Sequence, residues 1–109
     1  MSKSTLEAEL AMQIKALGLP EPIREYPAIK GRKFQFDFAW LEQKVLVEVN
    51  GGTYQRMGHS TGAGISRDYE KHNLATLAGW RVLAFDRKMV ESGEAIQLLQ
   101  TIFTTEEKN

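Results

Sequence analysis

The chain has 109 residues, which is enough for one domain with a modest core but not for two. Its 14 Lys and Arg balance its 14 Asp and Glu, and this neutrality argues against the strongly basic surface that nucleic-acid-binding domains usually have. The absence of cysteine excludes disulfides and thiolate metal sites. No stretch has the character of a secretory signal or a membrane span, so we expect a soluble, cytoplasmic protein without a membrane partner.

Helical spacing predicts a first helix from about Ser4, because Ser4 and Glu7 have the spacing of a capping box. Apolar residues then recur at helical intervals, at Leu6, Leu10, Ile14 and Leu17. Gly18 and Pro20 follow in the order in which such residues end helices. A short strand is predicted next, over Ile23–Tyr26, with a proline on either side.

The strongest pattern is an alternation of aromatic residues, at Phe34, Phe36, Phe38 and Trp40. This period of two predicts a strand with one buried face. A second alternating run begins at Val45, close enough for an antiparallel hairpin. A symmetric four-residue loop sets the register on the apolar face as Trp40 with Val45, Phe38 with Val47 and Phe36 with Val49. On the polar face it sets Ala39 opposite Leu46, Asp37 opposite Glu48 and Gln35 opposite Asn50.

The rest of the chain predicts a helix, a strand and a second helix. A glycine-rich loop is expected from Gly51 through Ser66, and a loop of this length is commonly functional. A helix over 67–78 would turn Tyr69, Leu74 and Leu77 inward, followed by a strand over 80–85 and a helix over about 92–103. The fold class is therefore α/β (α+β): one domain over 1–109, with a mixed sheet, a central antiparallel hairpin and flanking helices. Its core spans 4–103, and 104–109 form a polar tail.

The predicted pairing of Asp37 with Glu48 has chemical meaning. Like charges opposite one another destabilise a sheet unless they share a proton or recruit a cation. Magnesium prefers oxygen ligands, and a bound ion can activate water and neutralise charge on a phosphoryl group. Asp37 and Glu48 are thus candidate metal ligands, although the polar outer face of an ordinary hairpin has the same pattern.

An acid on one strand followed by Glu-x-Lys, or a variant of it, on the next is the pattern of the PD-(D/E)XK nuclease superfamily. Asp37, Glu48 and Asn50 occupy its positions here. Residues 32–90 also resemble small bacterial and phage proteins related to very-short-patch-repair endonucleases. The shared elements are a DFAW strand (37–40), an EVNGG strand end (48–52), a glycine loop with a histidine (58–64), an acidic-lysine helix (68–73) and a GWRVL strand (79–83).

This resemblance implies a restriction-endonuclease-like fold and specific roles. Asp37 and Glu48 would bind Mg²⁺ or Mn²⁺, helped by the backbone carbonyl of Val49. Asn50 stands where the family often has a catalytic lysine, and an amide cannot act as a base. Lys71 is the candidate replacement, because some members carry the lysine on a helix; an ordinary surface lysine is the alternative.

Further residues have weaker assignments. His59 is a candidate proton carrier or phosphate donor, or equally a solvent-exposed loop residue, because imidazole titrates near neutral pH. His72 is interpreted as structural or exposed. Glu7 or Glu9 would supply a first-helix acid near the metal, with solvated glutamates as the alternative. Candidate phosphate contacts are Lys30, Lys33, Arg56 and Arg67.

The resemblance implies a metal-dependent DNA endonuclease that hydrolyses phosphodiester bonds with a metal-activated water. It would serve phage or bacterial DNA recombination or repair, as a homodimer or beside a larger protein partner. The alternative is a catalytically weak or inactive nuclease-fold module that binds nucleic acid or a protein. A third class is an architectural protein whose hairpin acids are merely solvated.

Overall fold

A computed structural model of the protein describes residues 3–50 and 62–108. The helices in these ranges are α1 (Lys3–Ala16), α2 (Gly62–Leu77), α3 (Arg87–Ser92) and α4 (Glu94–Lys108). The strands are β1 (Ile23–Tyr26), β2 (Phe36–Trp40), β3 (Val45–Asn50) and β4 (Arg81–Asp86). None of the helices in the described ranges combines the length and apolar character needed to cross a membrane.

The strands form one mixed sheet in the order β1-β2-β3-β4. β1–β2 and β2–β3 are antiparallel, whereas β3–β4 is parallel, with α2 as the connection between its two strands. The predicted sheet with a central hairpin is confirmed. Three predicted register pairs are also present: Trp40 with Val45, Ala39 with Leu46 and Phe38 with Val47.

Helix α1 buries the predicted residues Leu6, Leu10 and Ile14, but Leu17 is 47% exposed. The helix ends in a Schellman motif, in which Gly18 has a left-handed φ of 71° and the amide of Leu19 donates to the carbonyl of Ile14. This turn carries Leu19, in place of Leu17, against the core.

The sheet is covered on both faces. The first core, on the side of α1, α3 and α4, includes Leu10, Phe38, Trp40, Val47, Val49 and Leu99. The second core, on the side of α2, comprises Phe36, Ala39, Leu46, Ala75 and Trp80. The prediction that one face of the hairpin is exposed to water was therefore wrong. Phe36 was also assigned to the wrong face, since it packs with Ala39 and not with Phe38 and Trp40.

Helix α2 begins at Gly62, so glycines that the sequence placed in a loop are helical. A glycine in a helix costs about 1 kcal/mol of stability, and the structural context of the helix can outweigh this cost. The predicted inward face was wrong for Tyr69 and Leu77, which are 68% and 83% exposed. The face toward the sheet instead carries Ala75 and, one turn earlier, polar side chains that contact Glu48.

The C-terminal part contains two helices where one was predicted. Asp86 caps α3 by accepting a hydrogen bond from the Met89 amide at 2.9 Å, and Gly93, with φ of 90°, separates α3 from α4. In α4, Ile96, Leu99 and Phe103 are buried as predicted. The helix continues through Lys108, so the segment expected to be a polar tail is largely helical.

Candidate functional site

The candidate site lies where the hydrogen-bond ladder between β2 and β3 stops. The pair nearest this end is Phe38 with Val47, and the same register would place Phe36 opposite Val49. Instead, the amide of Val49 donates to Oδ2 of Asp37 at 2.7 Å. A carboxylate has replaced a backbone carbonyl as the partner, and this explains why Phe36 turns to the second core.

Strand β1 is irregular at the corresponding position. Arg24 pairs with Phe38 and Tyr26 with Phe36, so Glu25 lies opposite Asp37. Glu25 has a left-handed φ of 52°, a conformation that costs a residue with a side chain about 1–2 kcal/mol. The two strands therefore change face together, with Arg24 against the first core and Tyr26 against the second.

Three carboxylates converge at this irregularity. One oxygen from each of Glu7, Glu25 and Asp37 lies within 4.8 Å of the others, and we call these residues the acid cluster. Glu7 and Asp37 are only 7% and 3% exposed, whereas Glu25 is open to solvent. Arg24 approaches the cluster, with its Nη2 3.4 Å from Oε1 of Glu7. Carboxylates this close repel one another and attract a cation, and an all-oxygen donor set suits a hard divalent ion.

Glu48 belongs to a second group of side chains, whose other members, Lys71 and His72, lie on helix α2. Its Oε1 lies 2.6 Å from Nζ of Lys71 and 3.5 Å from Nε2 of His72. Lys71 also donates to the carbonyl of Gln35 at 2.6 Å, and its Nζ lies 4.5 Å from the centroid of the Phe36 ring. The His72 ring is stacked with the Phe36 ring, with 6.3 Å between their centroids. Phe36, displaced from the first core, thus contacts both partners of Glu48, Lys71 and His72.

The structure therefore gives the two predicted acids different partners. Asp37 joins the acid cluster, and Glu48 joins Lys71 and His72, although the Asp37 carboxylate is bonded to the residue directly after Glu48. Sequence reasoning missed His72 and Glu25. For His72, its position directly after Lys71 on the helix was an available signal; for Glu25, the short strand contained no distinguishing pattern.

The remaining predicted residues are distributed around this end of the sheet. Val49 contributes its amide to Asp37 and its side chain to the first core. Asn50 is the last residue of β3, in register with Asp86. Lys30 and Lys33 are exposed in the segment before β2. The side chains of three predicted residues lie outside the described part of the chain: Arg56, His59 and Arg67.

Of the first-helix acids, Glu7 is the one in the cluster. Glu9 is two residues further along α1 and accepts a hydrogen bond from Gln13 at 3.4 Å. Solvated glutamates were the alternative interpretation at both positions, and this alternative is wrong for Glu7, which is buried where α1 packs on the sheet, between Leu6 and Leu10.

Comparison with known proteins adds a structural relationship. No protein-family model matches the sequence, and no curated protein matches it. A solved structure, the catalytic domain of the homing endonuclease I-Bth0305I, matches with a TM-score of 0.66 over 92% of this chain and 94% of that domain. The chain has the fold of an endonuclease domain. Because the sequences are 18% identical, this likeness concerns the fold alone, and the kinship with PD-(D/E)XK and very-short-patch-repair enzymes stays a prediction.

Proposed function

We propose that the protein is a metal-dependent DNA endonuclease that hydrolyses phosphodiester bonds. The observation that carries this proposal is the acid cluster, in which two of the three carboxylates are buried beneath α1. Burying carboxylates together opposes folding unless a cation compensates them. The fold shared with an endonuclease catalytic domain supports a nuclease over other uses of such a cation.

The residues present fit a hard divalent cation. Glu7, Glu25 and Asp37 would hold Mg²⁺ or Mn²⁺ through carboxylate oxygens, and Glu48 and the Val49 carbonyl are the further ligands that the motif resemblance implies. When bound, such an ion activates water and neutralises charge on the phosphoryl group. In hydrolysis the water oxygen bonds to phosphorus, the bond from phosphorus to one sugar oxygen breaks, and that oxygen gains a proton.

Lys71 takes the place of the lysine that Asn50 replaces. The contacts of the described residues use two of the three ammonium hydrogens, one toward Glu48 and one toward the Gln35 carbonyl. We assign the third to the attacking water or to a phosphate oxygen. His59 stays a candidate for proton transfer or for donation to the phosphate.

DNA would approach along the exposed basic residues of the site's margin. Lys30 and Lys33 can contact phosphates without reading the base sequence. Since one site cuts one strand, a double-strand cut requires a homodimer or a larger protein partner. Recombination or repair of phage or bacterial DNA is the proposed setting.

A recognition module without catalysis is the second candidate. The observation in its favour is that Glu48 forms an ion pair with Lys71, contacts His72 and does not belong to the acid cluster. A carboxylate already neutralised by the protein attracts a metal less strongly. Such a module would bind nucleic acid in a salt-dependent manner without turnover.

A cleavage panel separates the two candidates. Labelled linear, nicked, single-stranded and branched DNAs, with an RNA duplex for comparison, are incubated with Mg²⁺ or Mn²⁺. Wild type is compared with Asp37→Ala and Glu48→Ala, and Glu9→Gln serves as a charge-matched control on α1. The proposal predicts metal-dependent cutting that both alanine variants lose and the control keeps. Absence of cutting on every substrate, with DNA binding intact in all variants, would establish the recognition module instead.

A further inference from the structure

Arg24 connects the acid cluster to a neighbouring cavity. Its guanidinium donates to Glu7 at 3.4 Å and lies 4.6 Å from the centroid of the Phe38 ring. The same side chain lines a cavity of about 360 Å³ between α1 and β1, together with Lys15, Glu21 and four apolar residues. Two cationic side chains and one carboxylate, Glu21, therefore border a solvent-open space that Arg24 links to the acid cluster.

The contact between Arg24 and Glu7 is suited to exchange. A distance of 3.4 Å is long for a charged hydrogen bond, which is usually 2.7–2.9 Å. The Arg24 side chain is 45% exposed, whereas that of Glu7 is 10% exposed. The aromatic ring beneath the guanidinium holds it in place by a contact that does not depend on Glu7. Arg24 can thus lose Glu7 without losing its position.

Resting on the proposed function, we propose that Arg24 exchanges Glu7 for a phosphate of the nucleic acid. A divalent cation entering the acid cluster competes with Arg24 for the Glu7 carboxylate. The guanidinium, released from Glu7 but still held at the Phe38 ring, then binds a backbone phosphate at the cavity, where its planar fork matches the phosphate oxygens and Lys15 supplies a second positive charge. Metal binding and substrate binding are coupled through this one side chain.

The exchange predicts effects of opposite sign on metal and on DNA. In the absence of DNA, Arg24→Gln should bind Mn²⁺ more tightly than wild type by about two- to fivefold, the factor expected on removing a half-exposed ion pair. With Ca²⁺ present, the same variant should bind a short duplex more weakly. Arg24→Lys should bind Mn²⁺ like wild type but still bind the duplex less well, because it keeps the charge and loses the fork.

Calorimetry with Mn²⁺ and fluorescence anisotropy with a labelled duplex measure the two effects on the full chain. Arg81→Gln is the matched control, since Arg81 is exposed, donates to the Gln43 carbonyl and begins β4 at the opposite end of the sheet. It should change neither the Mn²⁺ affinity nor the duplex affinity. Thermal unfolding verifies that each variant is folded. If Arg24→Gln does not fold, the duplex affinity of Arg24→Lys tests the proposal.

The outcomes separate this proposal from the proposed function. If wild type binds Mn²⁺ and cuts DNA but Arg24→Gln has equal or weaker Mn²⁺ affinity, the exchange is refuted and the nuclease stands. Unchanged duplex affinity in both Arg24 variants refutes the phosphate contact. If wild type binds no Mn²⁺, the proposed metal site fails; gain of Mn²⁺ binding by Arg24→Gln would still support displacement, and no gain would overturn it.

Discussion

Replacing Asp37 by Asn should stabilise the protein when chelator removes divalent ions. The amide keeps an oxygen that can accept the hydrogen bond from the Val49 amide, which is 2.7 Å long in the structure. What it removes is one negative charge from the acid cluster. The hairpin geometry is preserved, so a change in stability reports the electrostatics of the cluster.

The separations in the cluster set the size of the effect. Two unit charges no more than 4.8 Å apart repel by about 3.5 kcal/mol or more at an effective dielectric of 20. Solvent around Glu25 screens its share, and Arg24 offsets part of the charge on Glu7. The net gain should therefore be about 1–2 kcal/mol, which for a domain of this size raises the melting temperature by roughly 4–8 °C.

Thermal unfolding in EDTA and in increasing Mn²⁺ measures both consequences. Wild type should gain about 2.7 kcal/mol at a Mn²⁺ concentration 100 times its dissociation constant, and Asp37→Asn should gain much less. Glu9→Gln removes a charge from α1 outside the cluster and should behave like wild type in both conditions. A loss of stability in EDTA for Asp37→Asn, combined with an undiminished Mn²⁺ response, would refute the electrostatic reasoning.

Three further substitutions test the surroundings of the site, each by urea unfolding in EDTA. Lys71→Met removes the partner of the buried Glu48 carboxylate and should destabilise by about 2–3 kcal/mol; no change would mean that the ion pair contributes nothing. Glu25→Gly relieves the left-handed φ and should stabilise by about 0.5–1 kcal/mol while weakening Mn²⁺ binding; destabilisation would contradict the strain. Trp40→Phe loses the 2.7 Å hydrogen bond to the Pro20 carbonyl and should cost about 2 kcal/mol, whereas a cost below 0.5 kcal/mol would show that the bond is replaced by water.

The sheet could be predicted from the sequence because apolar residues alternate regularly in the segments where the strands pair regularly. From Phe38 to Trp40 and from Val45 to Val47 the period of two holds, and the predicted register is the observed one. It failed at Phe36, since a side chain, Asp37, replaced a backbone hydrogen-bond partner. Periodicity assumes a continuous ladder, so it cannot anticipate where a carboxylate interrupts one.

The site was predicted in part for a related reason. Asp37 and Glu48 were chosen from cross-strand pairing and motif resemblance, and Lys71 from the resemblance alone; in the structure, Nζ of Lys71 lies 2.6 Å from Glu48. Glu25 depends on a left-handed backbone conformation that a short edge strand does not reveal. His72 was missed because apolar spacing was used to choose the inner face of α2, and that face is partly polar at the Glu48 end.

The two side-chain groups lie beneath different layers of helices. The acid cluster requires α1 to dock Glu7 beside Asp37, and the Glu48 group requires α2 to dock Lys71. Neither group is assembled by the hairpin alone, and each joins residues more than twenty positions apart in the chain. Under the proposed function, a newly synthesised or partly unfolded chain is harmless to DNA. During refolding, cleavage activity should accordingly recover later than the hairpin forms, because both groups are complete only when α1 and α2 have docked on the sheet.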